Sequence, residues 1–115
     1  MIEDDEFNYF KAKVLRVVDG DTIDALVSLK FSITMKIRFR LTGFDAPETY
    51  RPKSKNEAKA GKAATDALKS MIDNENIIIH SNKFGKYRYL ATVYLPGDES
   101  SVNDKMIELG HIKKV

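Results

Sequence analysis

The sequence predicts an α+β domain in which three strands, a helix, two strands and a second helix follow one another. Three observations support it. Apolar and polar residues alternate in strand-length segments, apolar residues recur at three- and four-residue steps in two other segments, and turn residues separate them. Strands segregated around few helices are typical of α+β domains. The length of 115 residues fits one compact domain.

The first three strands are predicted from alternation and from one turn. FKAKVLRVV (residues 10–18) is rich in β-branched residues, and the Asp19-Gly20 pair that follows is a strong hairpin signal before the returning strand TIDALVSL. The third strand, ITMKIRFRL, alternates without a break, which predicts an apolar face and a basic outer face. The apolar face comprises Ile33, Met35, Ile37, Phe39 and Leu41, and the outer face Thr34, Lys36, Arg38 and Arg40.

The second half of the chain supplies two helices and two strands. Between residues 54 and 74 the apolar period lengthens, which predicts an amphipathic helix. NIIIHS and KYRYLATVYL are predicted strands, and SVNDKMIELG is a predicted helix with a capping box from Ser101 to Asp104. Five strands able to pair antiparallel, with a helix after the third, favour a small OB-type barrel, a fold that commonly binds nucleic acids.

Composition excludes several kinds of protein. The chain has no cysteine, which excludes a disulfide framework, a zinc–cysteine site and a cysteine nucleophile. We expect residues 1–9 to be an acidic, frayed N-terminus and residues 10–115 to form the single domain. The start MIEDDEF does not resemble a signal peptide and no apolar run could span a bilayer, so we expect a cytoplasmic protein, or a secreted one if a signal has been removed.

Positive charge is concentrated in one part of the chain. Residues 1–6 hold four acids and no base, whereas the stretch from Lys36 to Lys62 holds eight lysines or arginines and three acids. Such a stretch suits a polyanion such as nucleic acid, and it suits a solvated lysine-rich surface equally well.

Three carboxylates stand at the ends of predicted strands. Asp21 follows the first hairpin turn, and Asp45 and Glu48 follow the third strand. If those strands pair, the three groups share a small volume and repel one another unless a cation neutralises them. Oxygen ligands without histidine or cysteine favour Ca²⁺ or Mg²⁺ over zinc. Each segment taken singly is also typical of an ordinary turn.

Two arginines and several tyrosines complete the candidate residues. Arg40 lies on the polar face of the third strand and Arg88 on the last strand, and the planar guanidinium fork suits a phosphate. Tyr87, Tyr89 and Tyr94 offer faces for base stacking, or pack against the barrel. The two histidines have no acidic neighbour in a recognisable motif.

Four motifs resemble, in order and spacing, the staphylococcal nuclease (thermonuclease) family: VVDGDTI, RLTGFDAPET, YRYLATVYL and VNDKMIELG. The resemblance runs from Lys11 to the C-terminus. It implies an OB-fold barrel and a Ca²⁺-dependent phosphodiesterase. Such an enzyme cuts DNA and RNA at the P–O5′ bond and leaves 3′-phosphate ends.

The resemblance also implies roles by position. Asp21 and Asp45 match the carboxylates that bind Ca²⁺, and Ala46 matches a residue that offers its backbone carbonyl to the metal. Glu48 matches the glutamate proposed to activate or orient the attacking water. Arg40 matches the arginine that binds the scissile phosphate.

The second arginine of the family has two candidates here, because this chain has KFGKYRYLA where the family usually has KYGR before the last strand. Counting back from the strand gives Arg88, which we prefer because it keeps the register. Counting forward from KFG gives Lys86. We expect Lys83, Lys86 and Tyr87 to contact nucleic acid.

Two functions remain open at this point. One is an active, Ca²⁺-dependent nuclease that works as a monomer on DNA or RNA without a membrane partner. The other is a catalytically weak or inactive OB-fold module that binds nucleic acid. Three carboxylates beside a phosphate favour the nuclease, because without a metal they would repel the ligand.

Overall fold

The computed structural model describes residues 8–49, 52–84 and 88–112, and of residues 82–84 it describes the backbone alone. The elements are β1 (Tyr9–Asp19), β2 (Thr22–Ser28), β3 (Thr34–Leu41), α1 (Lys55–Ile72), β4 (Asn76–Phe84), β5 (Tyr89–Tyr94) and α2 (Val102–Glu108). The strands close into a barrel in the order β1-β2-β3-β5-β4. The predicted α+β class and the five-stranded OB-type barrel with two helices are therefore confirmed.

The barrel closes through one parallel pair of strands. β1 pairs antiparallel with β2 and β4, β2 with β3, and β4 with β5, whereas β3 and β5 run parallel. The parallel pairing is short and runs from Phe39 opposite Tyr89 to Leu41 opposite Ala91. Since a closed barrel has no free sheet edge over its paired length, this short ladder completes the fold.

The core fills the barrel interior and is completed by the two helices. Inward-facing apolar residues of all five strands are buried, among them Val14, Ile23, Leu41, Ile79 and Val93. α1 adds Leu68 and Ile72 from its buried stripe, and α2 adds Val102 and Met106. Both helices begin at serine caps, of which Ser101 was predicted: Ser54 Oγ accepts from the Glu57 amide at 3.1 Å and Ser101 Oγ from the Asp104 amide at 3.0 Å. In the described part of the chain, no helix is both long and apolar enough to cross a membrane.

The start of the third strand departs from the prediction. Ile33 and Met35, which the alternation assigns to the interior, are 55% and 54% exposed, and Phe31 in the preceding turn is 92% exposed. The β2–β3 hairpin extends beyond the part of β3 that pairs with β5, and at this end its apolar face is open to solvent. At the other end of the chain, Tyr9 already opens β1, and residues 1–7 of the predicted frayed segment lie outside the described range.

The outer face of β1, β2 and β3 is organised in three cross-strand rows. Neighbouring rows lie two residues apart along β2 and β3, which corresponds to about 6.6 to 6.8 Å. We name them the cleft row, the middle row and the distal row. They consist of Asp19–Thr22–Arg40, Arg16–Asp24–Arg38 and Lys13–Leu26–Lys36, respectively.

One buried side chain from α2 takes over where the parallel ladder ends. Asn103 is 3% exposed, and its Oδ1 accepts from the Val93 amide at 2.9 Å. Its Nδ2 donates to the carbonyls of Thr42 at 2.8 Å and Ala91 at 3.0 Å. The Asn103 amide thus acts as a strand partner for β5 just past the last β3 pairing, and it fixes the chain as it leaves β3.

Replacing Asn103 by alanine should therefore destabilise the domain. The change leaves the buried Val93 amide without its acceptor and the Thr42 carbonyl without the Asn103 donor, whereas the Ala91 carbonyl keeps the Thr42 amide. We expect a loss of about 3 kcal/mol in the free energy of unfolding. Urea unfolding measures it, with Asn56→Ala on the exposed face of α1 as the matched control, expected within about 0.5 kcal/mol of wild type. Equal stabilities for the two variants would contradict this role for Asn103.

Candidate functional site

A cavity of about 400 Å³ lies where the β1–β2 turn, the end of β3 and the segment after β3 meet. We call it the cleft. Among the residues that the structure describes, it is lined by the complete cleft row and by six more: Asp21, Asp45, Ala46, Pro47, Glu48 and Arg88. All six residues that the sequence singled out for catalysis or metal binding therefore line one cavity: Asp21, Arg40, Asp45, Ala46, Glu48 and Arg88.

Asp21 holds the parts of the cleft together. The residue is buried, at 8% exposure, in the turn between β1 and β2. Oδ1 accepts from Thr22 Oγ1 at 3.0 Å, and Oδ2 accepts from the Ala46 amide at 2.9 Å and lies 3.2 Å from Arg40 Nη2. A buried charge requires such partners. One side chain thus joins the hairpin turn, the end of β3 and the segment that follows it.

Arg40 is the cation at the base of the cleft. Its side chain is 20% exposed and forms ion pairs with Asp21 and with Asp45. Its Nη1 also donates to the carbonyls of Leu41 and Phe44, both at 3.4 Å. Partners on several sides hold the guanidinium in one orientation at the cleft wall.

The remaining charged groups stand nearer to solvent. Asp45 has a side chain that is 72% exposed, Glu48 is exposed and Arg88 is half-buried. Arg88 immediately precedes β5, the strand that pairs with the end of β3, and this explains how it reaches the cleft from a distant part of the sequence. The cleft therefore has the Asp21–Arg40 ion pair at its base, and the charges of Asp45, Glu48 and Arg88 stand towards its opening.

The cleft offers the donor chemistry of a hard cation. Its carboxylates belong to Asp19, Asp21, Asp45 and Glu48, and neither histidine nor cysteine lines it. Oxygen donors of this kind suit Ca²⁺ or Mg²⁺. Within residues 8–49, 52–84 and 88–112, no three such side chains form a ready metal cage. A cation bound to both Asp21 and Asp45 would compete with Arg40 for them.

Two glycines allow the segment after β3 that lines the cleft to pack closely against α1 and against the β1–β2 turn. A Cβ on Gly61 of α1 would lie 2.5 Å from the carbonyl oxygen of Glu48, and a Cβ on Gly20 would lie 2.9 Å from the Cβ of Ala46. Real Cβ atoms essentially never make contacts of that length, so larger residues would force the backbone apart. Because glycine has no side chain, Gly61 lets the backbone of Glu48 lie directly against α1.

Sequence reasoning missed several contributors to this site. Asp19 was interpreted only as a turn residue, although it lines the cleft and accepts a hydrogen bond from Thr49 Oγ1. Thr22 and Gly61 were not singled out. A signal existed for Gly61, because a glycine inside an amphipathic helix costs stability and so indicates a packing constraint.

The predicted nucleic-acid contacts remain predictions. Lys86 and Tyr87 lie outside the described residues. Lys83 lies in β4 opposite Leu90, where the backbone alone is described. Tyr89 is 45% exposed, and its ring centroid lies 6.4 Å from that of Phe39.

The middle row carries a second ion pair next to the cleft. Arg38 donates from Nε to Asp24 Oδ1 at 2.7 Å and from Nη2 to Asp24 Oδ2 at 3.0 Å. The hydrogen bonds from Arg38 hold the pKa of Asp24 below its ordinary value of 3.8, with smaller contributions from the charges of Lys36 and Arg16. Three cations of two neighbouring rows therefore act on one buried carboxylate.

Comparison with known proteins gives a consistent set of matches. A family model described as staphylococcal nuclease homologue matches residues 38–114. A thermonuclease of Staphylococcus hyicus is 34% identical over 101 residues, which cover 85% of this chain and 55% of the relative. A protein of Escherichia coli O157:H7 named "Uncharacterized endonuclease" is 33% identical over 99 residues, covering 85% and 56%. A micrococcal nuclease of Shigella flexneri is 32% identical over 88 residues, covering 76% and 44%. The chain thus spans about half the length of these curated relatives.

Exchanging Arg38 for glutamine should change stability in a pH-dependent way. A carboxyl whose pKa is lowered in the folded state stabilises the fold above its unfolded pKa, and this contribution is lost as pH falls through the folded value. We therefore expect Arg38→Gln to be less stable than wild type at neutral pH, with the difference shrinking as pH falls below 3.8, the ordinary value for Asp24. NMR titration should show a higher pKa for Asp24 in the Arg38→Gln variant than in wild type. Lys36→Gln, the control, should raise it less, and equal shifts would contradict the role of the bidentate bond.

Gly61→Ala should displace the segment that carries Glu48. At an unconstrained helix position, glycine to alanine stabilises by about 1 kcal/mol, whereas the close approach here should make the change destabilising by about 1–3 kcal/mol. Thermal unfolding measures the sign, and the amide NMR shifts of Ala46, Glu48 and Thr49 report the displacement. Ala63→Gly on the exposed side of α1 measures helix propensity alone. A Gly61→Ala protein that is more stable than wild type, with unchanged shifts, would contradict this constraint.

Proposed function

We propose that this chain, which belongs to the staphylococcal nuclease homologue family, hydrolyses phosphodiester bonds of DNA and RNA with Ca²⁺ as its cofactor. The observation that supports this most is the composition of the cleft, where two arginines and several carboxylates surround one small cavity. Arginines match a phosphate, and clustered carboxylates match the metal and water that a hydrolytic reaction needs.

Arg40 and Arg88 are the proposed phosphate-binding groups. Arg40 is fixed at the base of the cleft by Asp21 and by backbone carbonyls, so it binds the scissile phosphate with little loss of side-chain freedom. Arg88 approaches from the start of β5 and neutralises charge that grows on the phosphoryl oxygens in the transition state. Their joint contribution is electrostatic and lies mainly in the transition state.

Asp21, Asp45 and the backbone carbonyl of Ala46 are the proposed Ca²⁺ ligands. Their hard oxygens suit this ion, and waters complete its usual six to eight ligands. When bound, the ion supplies Lewis-acid stabilisation of the phosphate charge. Ala46 is held in place by the hydrogen bond from its amide to Asp21, so one carboxylate both binds the metal and positions a second ligand.

Glu48 is the proposed general base that activates the attacking water. It is exposed at the cleft rim, on the segment held against Gly61 of α1. The Glu48 carboxylate accepts a hydrogen bond from the water and then its proton as the water oxygen attacks phosphorus. The P–O5′ bond breaks, its electron pair stays on O5′, and that oxygen takes up a proton. The other fragment keeps a 3′-phosphate.

A digestion experiment tests the proposed activity. We expect purified protein to cut single- and double-stranded DNA and RNA in Ca²⁺, to stop when a chelator is added, and to leave 3′-phosphate ends. The products are separated on gels and their ends identified enzymatically. If the protein binds nucleic acid but leaves it intact in Ca²⁺ from neutral to alkaline pH, the nuclease proposal is wrong and the chain is a binding module.

Glu48→Gln tests the assignment within the cleft. Removal of the carboxylate should lower kcat by about 10²–10⁴-fold, the usual contribution of general acid–base catalysis, with little change in stability because Glu48 is exposed. Glu99→Gln, an exposed glutamate outside the cleft, is the matched control and should keep full activity. Equal activity of the two variants would remove Glu48 from the reaction.

A further inference from the structure

We infer that the middle row and the distal row form an extended binding track for the phosphate backbone of the nucleic-acid strand that leaves the cleft. This inference rests on the proposed function, because the cleft row belongs to the same face. The track is formed by the outward side chains of β1, β2 and β3. None of its residues lines the cleft.

Register connects the track to the cleft. Arg40 and Thr22 of the cleft row are followed two residues away by Arg38 and Asp24 of the middle row. Leu26 and Lys36 of the distal row follow after two more residues. All three rows face outward, because the residues between them on β2 and β3, such as Ala25 and Phe39, face the core. A strand seated at Arg40 therefore meets the next cations after about 7 and about 14 Å along the same face.

The track is strongly positive. The middle and distal rows contribute Lys13, Arg16, Lys36 and Arg38, against the single carboxylate of Asp24. Lys11, also outward-facing and exposed on β1, extends the positive charge beyond the distal row. No acid in the described ranges is ion-paired with Lys13, Arg16 or Lys36. These three side chains are available to bind external phosphates.

The Asp24 carboxylate is neutralised within the protein and serves to orient Arg38. It is 4% exposed and receives two hydrogen bonds from Arg38, which use Nε and one hydrogen of Nη2. The guanidinium carries five N–H donors in a rigid fork, so three remain, and the side chain is 49% exposed. Arg38 is therefore held in one orientation with unused donors, which lowers the entropy cost of gripping a phosphate.

Nucleic acid fits this face better than other polyanions because of its continuity with the cleft. A phosphate backbone presents charges at regular intervals, and rows of cations at a regular strand spacing match such a ligand. An acidic peptide or an anionic lipid surface would explain the charge but not its alignment with Arg40. The exposed lysines of α1, such as Lys59, Lys62 and Lys69, lie on another element and provide a comparison.

The test removes the three cations of the two track rows that form no ion pair in the described ranges, and it leaves the cleft intact. The variant Lys13→Gln/Arg16→Gln/Lys36→Gln keeps Arg38 and so keeps Asp24 paired. Its binding to a fluorescent oligonucleotide long enough to cover all three rows is measured by anisotropy at several salt concentrations, with a chelator present to prevent cleavage. Each lost phosphate contact should lower the slope of log K against log salt by about 0.7 to 0.9. We expect a total reduction of about 2 to 3 and an affinity loss of about tenfold or more.

The matched control is Lys59→Gln/Lys62→Gln/Lys69→Gln, which removes the same number of charges from α1. It should retain most of the affinity and the slope. In Ca²⁺, the track variant should have a higher KM than wild type on long substrates. On a dinucleotide, which is too short to reach the track, its kcat and KM should equal those of wild type. A track variant that binds the oligonucleotide like wild type, or a control that loses as much as the track variant, would overturn the inference. The track variant is also tested on anionic lipid vesicles. Weaker binding to the vesicles with unchanged binding to the oligonucleotide would overturn the inference as well.

The two arms separate this inference from the proposed function. Binding is measured without cleavage, so a wild-type protein that cuts nothing would overturn the nuclease proposal while the slopes still decide on the track. Thermal unfolding of both triple variants confirms that each is folded at the measurement temperature. A track variant with normal slopes in an active enzyme would overturn the track and leave the nuclease proposal in place.

Discussion

The burial of the Asp21 carboxylate is the constraint on which the candidate site depends. A charge at 8% exposure is stable only with close partners, and Asp21 finds them in Thr22, the Ala46 amide and Arg40. These partners belong to the hairpin turn, the end of β3 and the segment after it. The electrostatic requirement of one side chain therefore determines where an arginine and the next stretch of backbone must lie.

Barrel closure brings the second half of the site to this point. The parallel pairing of β3 with β5 carries Arg88 to the cavity that holds Arg40, and Asn103 continues the pairing where the ladder stops. α1 completes the arrangement, because Gly61 lets the Glu48 backbone approach the helix. The outer face of β1, β2 and β3 extends the positive charge away from the cleft. Cleft and basic face are therefore parts of one surface, on which the residue spacing along the strands sets the distance between the rows.

Much of this could be predicted from the sequence, for identifiable physical reasons. Alternation, the Asp19-Gly20 turn, the helical period of residues 54–74 and the Ser101 cap are local signals, and they predicted five strands and two helices in the right order. Periodicity shows which residues share a face but not whether anything covers it, and Ile33 and Met35 were therefore wrongly assigned to the interior. The contacts of Gly61 and Asn103 join distant segments and appear only once the barrel has closed.

The most direct measurement follows the oxygen of water into the product. DNA is digested in Ca²⁺ in water enriched in a heavy oxygen isotope, and the fragments are analysed by mass spectrometry. If Glu48 directs water to phosphorus, each cut should place a single heavy oxygen in the new 3′-phosphate, and Glu48→Gln should suppress label and cleavage together. Unlabelled 3′-phosphates, label in the 5′-hydroxyl of the other fragment, or labelled cleavage that persists in Glu48→Gln would contradict the proposed use of this cleft.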